Sequence, residues 1–218
     1  MESIRQKGAR VVKIIAGLKK IYPDVRLELD FSNPLELLVA LILAAQARDE
    51  RVNVVTAKLF KKYRTAADWA KAPAGTLQEE ISEISFFRMK TKSIQGACKM
   101  LLEKFGGKVP DNFDDLVTLP GVGPKTANVL LGNAFGQQTI GVDRHVARVS
   151  GRLELTKETE PDAIQEDLMK IVPAEDRVKL CLLFQYHGRR VCIARKPLCE
   201  ECVVNSLCPY PAKKKAGS

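Results

Sequence analysis

Ten residues near the middle of the chain, 119–128, read Leu-Pro-Gly-Val-Gly-Pro-Lys-Thr-Ala-Asn and set the strongest limit on its fold. Apolar residues recur at helical spacing before this segment and again over residues 125–135, so the pattern predicts a helix, a hairpin and a second helix. Gly121 and Gly123 permit backbone angles and close approaches that a Cβ atom would prevent. The amides that open the second helix suit phosphate, although an ordinary turn between two helices is the alternative interpretation.

Lys125 occupies the first turn of the helix that follows the hairpin. The N-terminus of a helix is positive and disfavours a second positive charge, and we expect partial burial to act in the same direction. A lysine that gives up its proton is a nucleophile for Schiff-base chemistry. Asp143 follows 18 residues later, far enough for the chain to return across the hairpin. The alternatives are a surface lysine and an aspartate that caps a helix.

The charge balance of the chain indicates a class of partner. Its 218 residues include 35 Lys and Arg against 26 Asp and Glu, a formal net charge of +9. This balance makes a polyanion the leading partner, although a basic surface also serves solubility. No stretch is long and apolar enough to span a membrane, so we expect no membrane partner and a reducing compartment.

Four of the six cysteines lie within the last 27 residues. They are Cys192, Cys199, Cys202 and Cys208. In a protein of a reducing compartment this spacing predicts a metal site, and four thiolates suit either zinc or an iron–sulfur cluster. Only one Cys-x2-Cys pair is present, whereas zinc sites usually use two. Cys98 and Cys181 fall inside apolar helical patterns and are expected in the core.

Helical patterns fill the first third of the chain. Residues 4–21 predict an amphipathic helix with a basic outer face. The Asn33-Pro34 pair predicts the start of a second helix, over residues 35–47, which is apolar nearly all round and therefore central and buried. Gln46 lies near its end, where it could be satisfied within the core or face a ligand.

Two aromatic residues fall in a segment that we predict to be a loop, residues 84–90, before a helix over residues 92–105. Paired aromatics in a loop usually fill a core, but beside a phosphate-binding hairpin one of them could instead wedge between bases. Convincing alternation of apolar and polar residues is absent from the whole sequence, which therefore predicts an all-α protein.

Several motifs together resemble the endonuclease III family, the DNA glycosylases of the helix-hairpin-helix superfamily that carry an iron–sulfur cluster. They are the hairpin segment, the Val-Asp-Arg-His run at 142–145, the His-Gly-Arg run at 187–189 and the four-cysteine loop. The resemblance extends from about Pro34 to Cys208. It implies a six-helix barrel domain over residues 27–137, packed against a second helical domain of residues 1–26 and 138–218 with a C-terminal [4Fe–4S] cluster loop.

The resemblance also assigns roles to single residues. Lys125 matches the Schiff-base lysine, Asp143 the catalytic carboxylate, and the four cysteines of the loop match the cluster ligands. Gln46 matches the residue that fills the space left by an extruded base, and Phe86 the residue that wedges into the opposite strand. The remaining expected DNA contacts are Gly121, Gly123, Arg48, His145, Arg189 and Lys196.

The family implies a bifunctional DNA glycosylase and abasic-site lyase. Its substrate would be duplex DNA with oxidised pyrimidines or abasic sites, and we expect a monomer associated with the nucleoid in a prokaryotic cytoplasm. Arg48 and Arg144 replace threonines of the family pattern and leave the preferred lesion open. The alternatives are a thymine-mismatch glycosylase, a non-catalytic iron–sulfur DNA-binding protein and a zinc-stabilised scaffold.

Overall fold

The computed structural model of the chain describes residues 2–211. Over these residues the chain forms eleven α-helices, three short 3₁₀ helices and no β-strand, so the all-α prediction is confirmed. The α-helices are α1 (Ile4–Ile21), α2 (Pro34–Ala44), α3 (Asp49–Lys62), α4 (Ala66–Lys71), α5 (Ala74–Glu80), α6 (Phe87–Phe105), α7 (Phe113–Leu116), α8 (Pro124–Ala134), α9 (Arg144–Arg152), α10 (Pro161–Ile171) and α11 (Arg177–Arg190). The 3₁₀ helices are Ala174–Asp176, Cys199–Glu201 and Asn205–Leu207.

The chain forms two compact units. One comprises Leu27–Gln137 and contains α2 to α8. The other combines the described residues on either side of it, with α1 and α9 to α11. None of the described helices combines the length and the apolar character needed to cross a membrane.

Helix α2 is the centre of the 27–137 unit, as the sequence predicts. Asn33 caps it by accepting a hydrogen bond from the amide of Glu36, and Pro34 occupies its first position. Its apolar side chains are buried, and α3, α6 and α8 pack against it. The helix ends at Ala44, earlier than the predicted residue 47, because Ala45 leaves the helical region with ψ 112° and Gln46 follows in a left-handed conformation with φ 57°.

The predicted loop over residues 84–90 is wrong in its second half. Helix α6 begins at Phe87, five residues before the expected start, because Phe86 stands at its N-cap with φ 59°. The amides of Met89 and Lys90 then donate to the Phe86 carbonyl and close the first turn. At its other end α6 stops at Gly106, which has φ 60° and ends the helix as expected.

The other unit is built on the amphipathic helix α1, whose bounds agree with the predicted 4–21. Ser3 and Gln6 form a capping box at its start. Its apolar stripe, which includes Val11, Ile14 and Leu18, is buried, and α10 and α11 pack against it. Helix α9 packs along α11, which leads directly into the cysteine segment.

Candidate active site and cluster loop

The predicted helix-hairpin-helix is formed by α7, a turn and α8. Gly121 in the turn has φ 84°, and a Cβ atom built on it would lie 2.8 Å from the Cβ atom of Ser93. Glycine is therefore required at this position for both conformation and space. Gly123 differs from the prediction, because its φ of −99° suits any residue and no atom lies within 4 Å of a Cβ atom built there. The open space at Gly123 gives a ligand close access to the backbone.

The start of α8 presents unpaired amides. Its first intrahelical hydrogen bond runs from the Ala127 amide to the Gly123 carbonyl at 2.9 Å, so the amides of Lys125 and Thr126 precede the helical ladder. These donors and the positive end of the helix suit an anion. The Lys125 side chain is exposed, contrary to the partial burial expected from the sequence, and a ligand can reach it from solvent.

Three of the predicted DNA-contact residues lie around one cavity of about 190 Å³ in the 27–137 unit. They are Gln46, Phe86 and Gly121. Phe86 is 57% exposed and Met89, also on the cavity wall, is 66% exposed. Exposed apolar side chains at the mouth of a cavity suit insertion into an apolar or stacked ligand.

Lys90 also lines this cavity, and the sequence analysis did not single it out. Its Nζ donates to the carbonyl oxygens of Leu43 at 2.8 Å and Ala45 at 2.6 Å. Burial lowers the pKa of this amine below its usual value. The sequence held a signal for it, because Lys90 shares the apolar face of α6 with Ile94 and Leu101, which are buried.

Asp143 stands at the N-cap of α9 in the other unit. Its Oδ1 accepts hydrogen bonds from the amides of His145 and Val146, both at 2.8 Å. Asp143 therefore caps α9 through Oδ1, which agrees with the alternative interpretation of this residue as a helix cap. Both bonds use the same oxygen, so the cap fixes the carboxylate while Oδ2 stays outside these two bonds.

His145 is held between α9 and α11. Its Nδ1 lies 3.1 Å from Arg148 Nη2, which also donates to the Gly188 carbonyl at 2.7 Å. A Cβ atom at position 188 would lie 3.0 Å from His145 Nδ1, so glycine permits this close approach of the two helices. Burial lowers the pKa of His145 and so favours the neutral imidazole. The attraction of Asp143 opposes this shift but is the smaller effect.

The four predicted metal ligands lie around one apolar cavity. Cys192, Cys199, Cys202 and Cys208 share its wall with side chains such as Val149 and Leu198. Burial removes the Cys202 and Cys208 thiols from water, and this desolvation raises the pKa of both. Four thiols on one apolar wall fit a cluster that takes one cysteine at each of four irons.

Arg152 organises the first loop of the cysteine segment, and the sequence analysis did not identify it. Its guanidinium donates to the carbonyls of Cys192, Ile193 and Ala194, and its Nη1 lies 3.3 Å from the sulfur of Cys192. Arg148, one turn earlier in α9, donates from Nε to the same Cys192 carbonyl at 3.0 Å. Positions i and i+4 lie on one face of a helix, so the sequence indicates that the two arginines share a neighbour, although it does not identify the cysteine loop as that neighbour.

His187 packs behind the loop, where its Nε2 lies 3.4 Å from the sulfur of Cys202. Burial lowers the pKa of His187 to about 4. The remaining predicted contacts are exposed basic side chains. They are Arg48 beside the Gln46 turn, Arg189 at the end of α11 and Lys196 in the first cysteine loop.

Comparisons with known proteins agree with these features. Residues 39–174 match the model of the HhH-GPD superfamily base excision DNA repair proteins. Residues 192–208, which begin and end at predicted cluster ligands, match the iron–sulfur binding domain of endonuclease III. The [4Fe–4S] prediction is thereby confirmed, and zinc is the weaker alternative.

Curated relatives cover nearly the whole chain. The sequence is 48% identical over 210 residues to endonuclease III of Synechocystis sp., which covers 96% of each chain. It is 40% identical over 205 residues to endonuclease III of Escherichia coli, with 94% of this chain and 97% of that protein covered.

A solved structure of a trapped endonuclease III–DNA covalent intermediate is similar in both sequence and fold. It has a TM-score of 0.89 and 39% identity, and the match covers 95% of this chain and 98% of that chain. The chain therefore belongs to the endonuclease III family of HhH-GPD base excision DNA repair proteins.

Proposed function

We propose that this DNA glycosylase and abasic-site lyase removes oxidised pyrimidines from duplex DNA and uses Lys125 as its nucleophile. The observation that carries the proposal is the position of Lys125, exposed in the first turn of α8, directly after a hairpin whose amides suit phosphate. A backbone phosphate bound to those amides would bring the neighbouring sugar within reach of the lysine amine. The formal net charge of +9 supports a polyanionic substrate.

The base must leave the stack before its sugar can be attacked. Lys125 Nζ, as the free amine, attacks C1′ while the glycosidic bond breaks and its electron pair leaves on the base. The base takes up the proton that the newly bonded nitrogen gives up. The sugar ring opens to an imine with Lys125. Loss of a proton from C2′ then breaks the C3′–O bond and expels the 3′ phosphate, and water finally hydrolyses the imine.

Asp143 stabilises the positive charge that develops on the sugar. Two amides hold its Oδ1 in place, which fixes the carboxylate without consuming its second oxygen. A pre-oriented charge costs no reorganisation during the reaction, so this arrangement suits electrostatic stabilisation. His145 stays neutral beside it and can contact DNA through a ring that burial and Arg148 hold in place.

Gln46 and Phe86 fill the gap that the extruded nucleotide leaves. Gln46 offers an amide to the unpaired base, and the exposed ring of Phe86 wedges into the opposite strand. Arg48, Arg189 and Lys196 provide exposed positive charges for phosphate contacts.

None of the steps above passes through the cluster. When bound, it would be held by the thiolates of Cys192, Cys199, Cys202 and Cys208, and its iron–thiolate bonds would tie these four residues together. Arg148 and Arg152 hold the backbone at the start of the first loop, residues 192–194, from α9, and the exposed Lys196 follows two residues later. We further propose that the protein acts as a monomer in a prokaryotic cytoplasm; the bacterial relatives support the second part of this proposal.

Borohydride trapping tests the reaction, with one duplex that carries thymine glycol and another that carries an abasic site. The wild type should become covalently trapped on both, and Lys125→Ala on neither. Asp143→Asn should slow trapping on thymine glycol about a hundredfold. Lys99→Ala, which removes an exposed lysine from α6, is the matched control and should behave as the wild type.

The other outcomes identify the alternatives. Trapping of the wild type on the abasic duplex alone, with excision of thymine from a G·T mismatch, would assign the protein to mismatch repair. Binding without trapping on any duplex would indicate a non-catalytic DNA-binding protein. Trapping of Lys125→Ala at the wild-type rate would show that another amine is the nucleophile.

A further inference from the structure

Lys90 connects two separate turns of the chain that meet at the Gln46 cavity. Its side chain is 6% exposed and reaches from the first turn of α6 to the C-terminal end of α2. Its Nζ lies 2.8 Å from the Leu43 carbonyl oxygen and 2.6 Å from that of Ala45. Among the ion pairs of the described residues none involves this lysine, so backbone carbonyls and the negative end of α2 stabilise its charge.

The bond to Ala45 acts directly on the conformation of Gln46. The Ala45 carbonyl belongs to the same peptide group as the Gln46 amide nitrogen, so a donor that fixes this carbonyl fixes the plane from which Gln46 begins. Gln46 has φ 57°, a conformation that residues with a Cβ atom rarely adopt and that persists only where the surroundings impose it. Lys90 provides such a constraint from a buried position.

The backbone of Lys90 takes part in the other turn. Its amide donates to the Phe86 carbonyl at 3.1 Å, and the Met89 amide donates to the same oxygen at 3.0 Å. Phe86 has φ 59°, so two of the exposed residues on this cavity, Gln46 and Phe86, are both held in a left-handed conformation. One residue thus bonds to the turn of Gln46 through its side chain and to the turn of Phe86 through its backbone.

We propose that Lys90 is a positioning residue that holds Gln46 and Phe86 in a fixed relation, so that both enter the duplex together when a nucleotide is extruded. The inference rests on the proposed function, in which these two residues occupy the DNA stack. Unstacking a base step costs free energy, and a pair that is already ordered does not add the entropy of its own ordering to that cost. A mobile Gln46 turn would insert less often and leave the base stacked for longer.

The test is a double-mutant cycle that needs no chemical turnover. The probe is 2-aminopurine placed opposite a tetrahydrofuran abasic-site analogue in a duplex, because its fluorescence rises when the base loses its stacking neighbours. The proteins are the wild type, Gln46→Ala, Lys90→Met and the double variant, all compared at saturating protein. Lys99→Met, which changes an exposed lysine of the same helix, is the matched control.

Wild type and Lys99→Met should raise the fluorescence, and Lys90→Met should lose most of that rise. Lys90→Met should have no further effect once Gln46 is alanine, because a residue that acts through Gln46 is coupled to it. Base excision by Lys90→Met should be about tenfold slower, and that loss should also vanish in the Gln46→Ala background. A wild-type signal from Lys90→Met, or an equal loss in both backgrounds, would overturn the proposal.

A second variant covers the case in which Lys90→Met does not fold. Lys90→Arg keeps a donor and a charge but places a larger, planar group against the Leu43 and Ala45 carbonyls, and it should lose part of the rise only while Gln46 is present. An equal loss of the fluorescence rise with and without Gln46 would again contradict the proposal. Failure of the proposed function is distinguishable, because it would abolish excision by the wild type and leave the fluorescence cycle measurable.

Discussion

Arg152 Nη1 lies 3.3 Å from the sulfur of Cys192, and the same guanidinium donates to the carbonyls of the two residues that follow this cysteine. The Arg152 guanidinium also lies over the ring of Tyr210, with Cζ 4.7 Å from the ring centroid. One side chain from α9 thus contacts both ends of the cysteine segment.

We predict that Arg152→Ala loses the cluster more readily than the wild type. Removing the guanidinium leaves the carbonyls of Ile193 and Ala194 and the sulfur of Cys192 without this donor, at a cost of about 2 kcal/mol. The iron content per protein and the decay of visible absorbance in the presence of a chelator measure the effect. Arg195→Ala, a change of an exposed arginine in the same loop, is the control and should keep its iron. Equal iron retention by both variants would contradict the role given to Arg152.

We predict opposite behaviour for the two hairpin glycines. Gly121→Ala places a Cβ atom 2.8 Å from that of Ser93 at a φ of 84°, and should lower the free energy of unfolding by about 2 kcal/mol. Gly123→Ala meets open space at a φ of −99°, and should leave stability unchanged while it weakens DNA binding. Urea unfolding and binding to an abasic duplex separate the two effects. A stable Gly121→Ala protein would show that the turn is not constrained as described.

We predict that Phe86 matters for activity and not for stability. The ring is 57% exposed, so Phe86→Ala should change the free energy of unfolding by less than about 0.5 kcal/mol. Excision of thymine glycol should nevertheless slow about tenfold, because the wedge into the opposite strand is lost. Val54→Ala, which truncates another apolar side chain that is 57% exposed, is the control for both measurements. Equal excision rates of the two variants would remove Phe86 from the proposed wedge.

We predict that His145 makes the protein less stable in mild acid. Burial lowers its folded-state pKa below the value of 6.5 that it has when unfolded, so between these two values the unfolded chain binds more protons. The neutral imidazole therefore contributes stability above pH 6.5, and that contribution falls as the pH drops toward the folded-state pKa, by at most about 1.4 kcal/mol per pH unit.

The midpoint of thermal unfolding at pH 7.5 and at pH 5.5 measures this dependence in the wild type and in His145→Gln. The variant should lose less stability between the two pH values. It should keep some dependence, because His187 is also buried with a lowered pKa. An identical loss in both proteins would show that His145 is not the group responsible.

Much of this architecture follows from local sequence patterns. Asn33-Pro34 predicts the start of α2 because a side-chain cap and a proline act within one turn, and both act in the structure. The C-terminal end of α2 and the start of α6 are different. Each lies at a turn with a residue in a left-handed conformation, Gln46 and Phe86 respectively, which non-glycine residues adopt only under tertiary constraint, so the local sequence carries no signal for them.

The candidate site shows the same division. The spacing of Cys192, Cys199, Cys202 and Cys208 predicts a metal centre, but it leaves zinc and an iron–sulfur cluster open until the family is known. The helix positions of Lys90 and Arg152 carry only a weak signal, because a lysine or arginine on a helix is usually solvated. The packing is needed to show that each donates to backbone carbonyls of a distant segment.

The central claim is that Lys125 forms the covalent bond to DNA, and peptide mapping of the borohydride-trapped complex tests it most directly. After digestion of the protein and the DNA, mass spectrometry locates the residue that carries the reduced sugar adduct. The adduct should lie on the peptide that contains Lys125, with its side-chain nitrogen as the site of attachment. An adduct on any other lysine, such as Lys90 or Lys92, would contradict the assignment of the nucleophile.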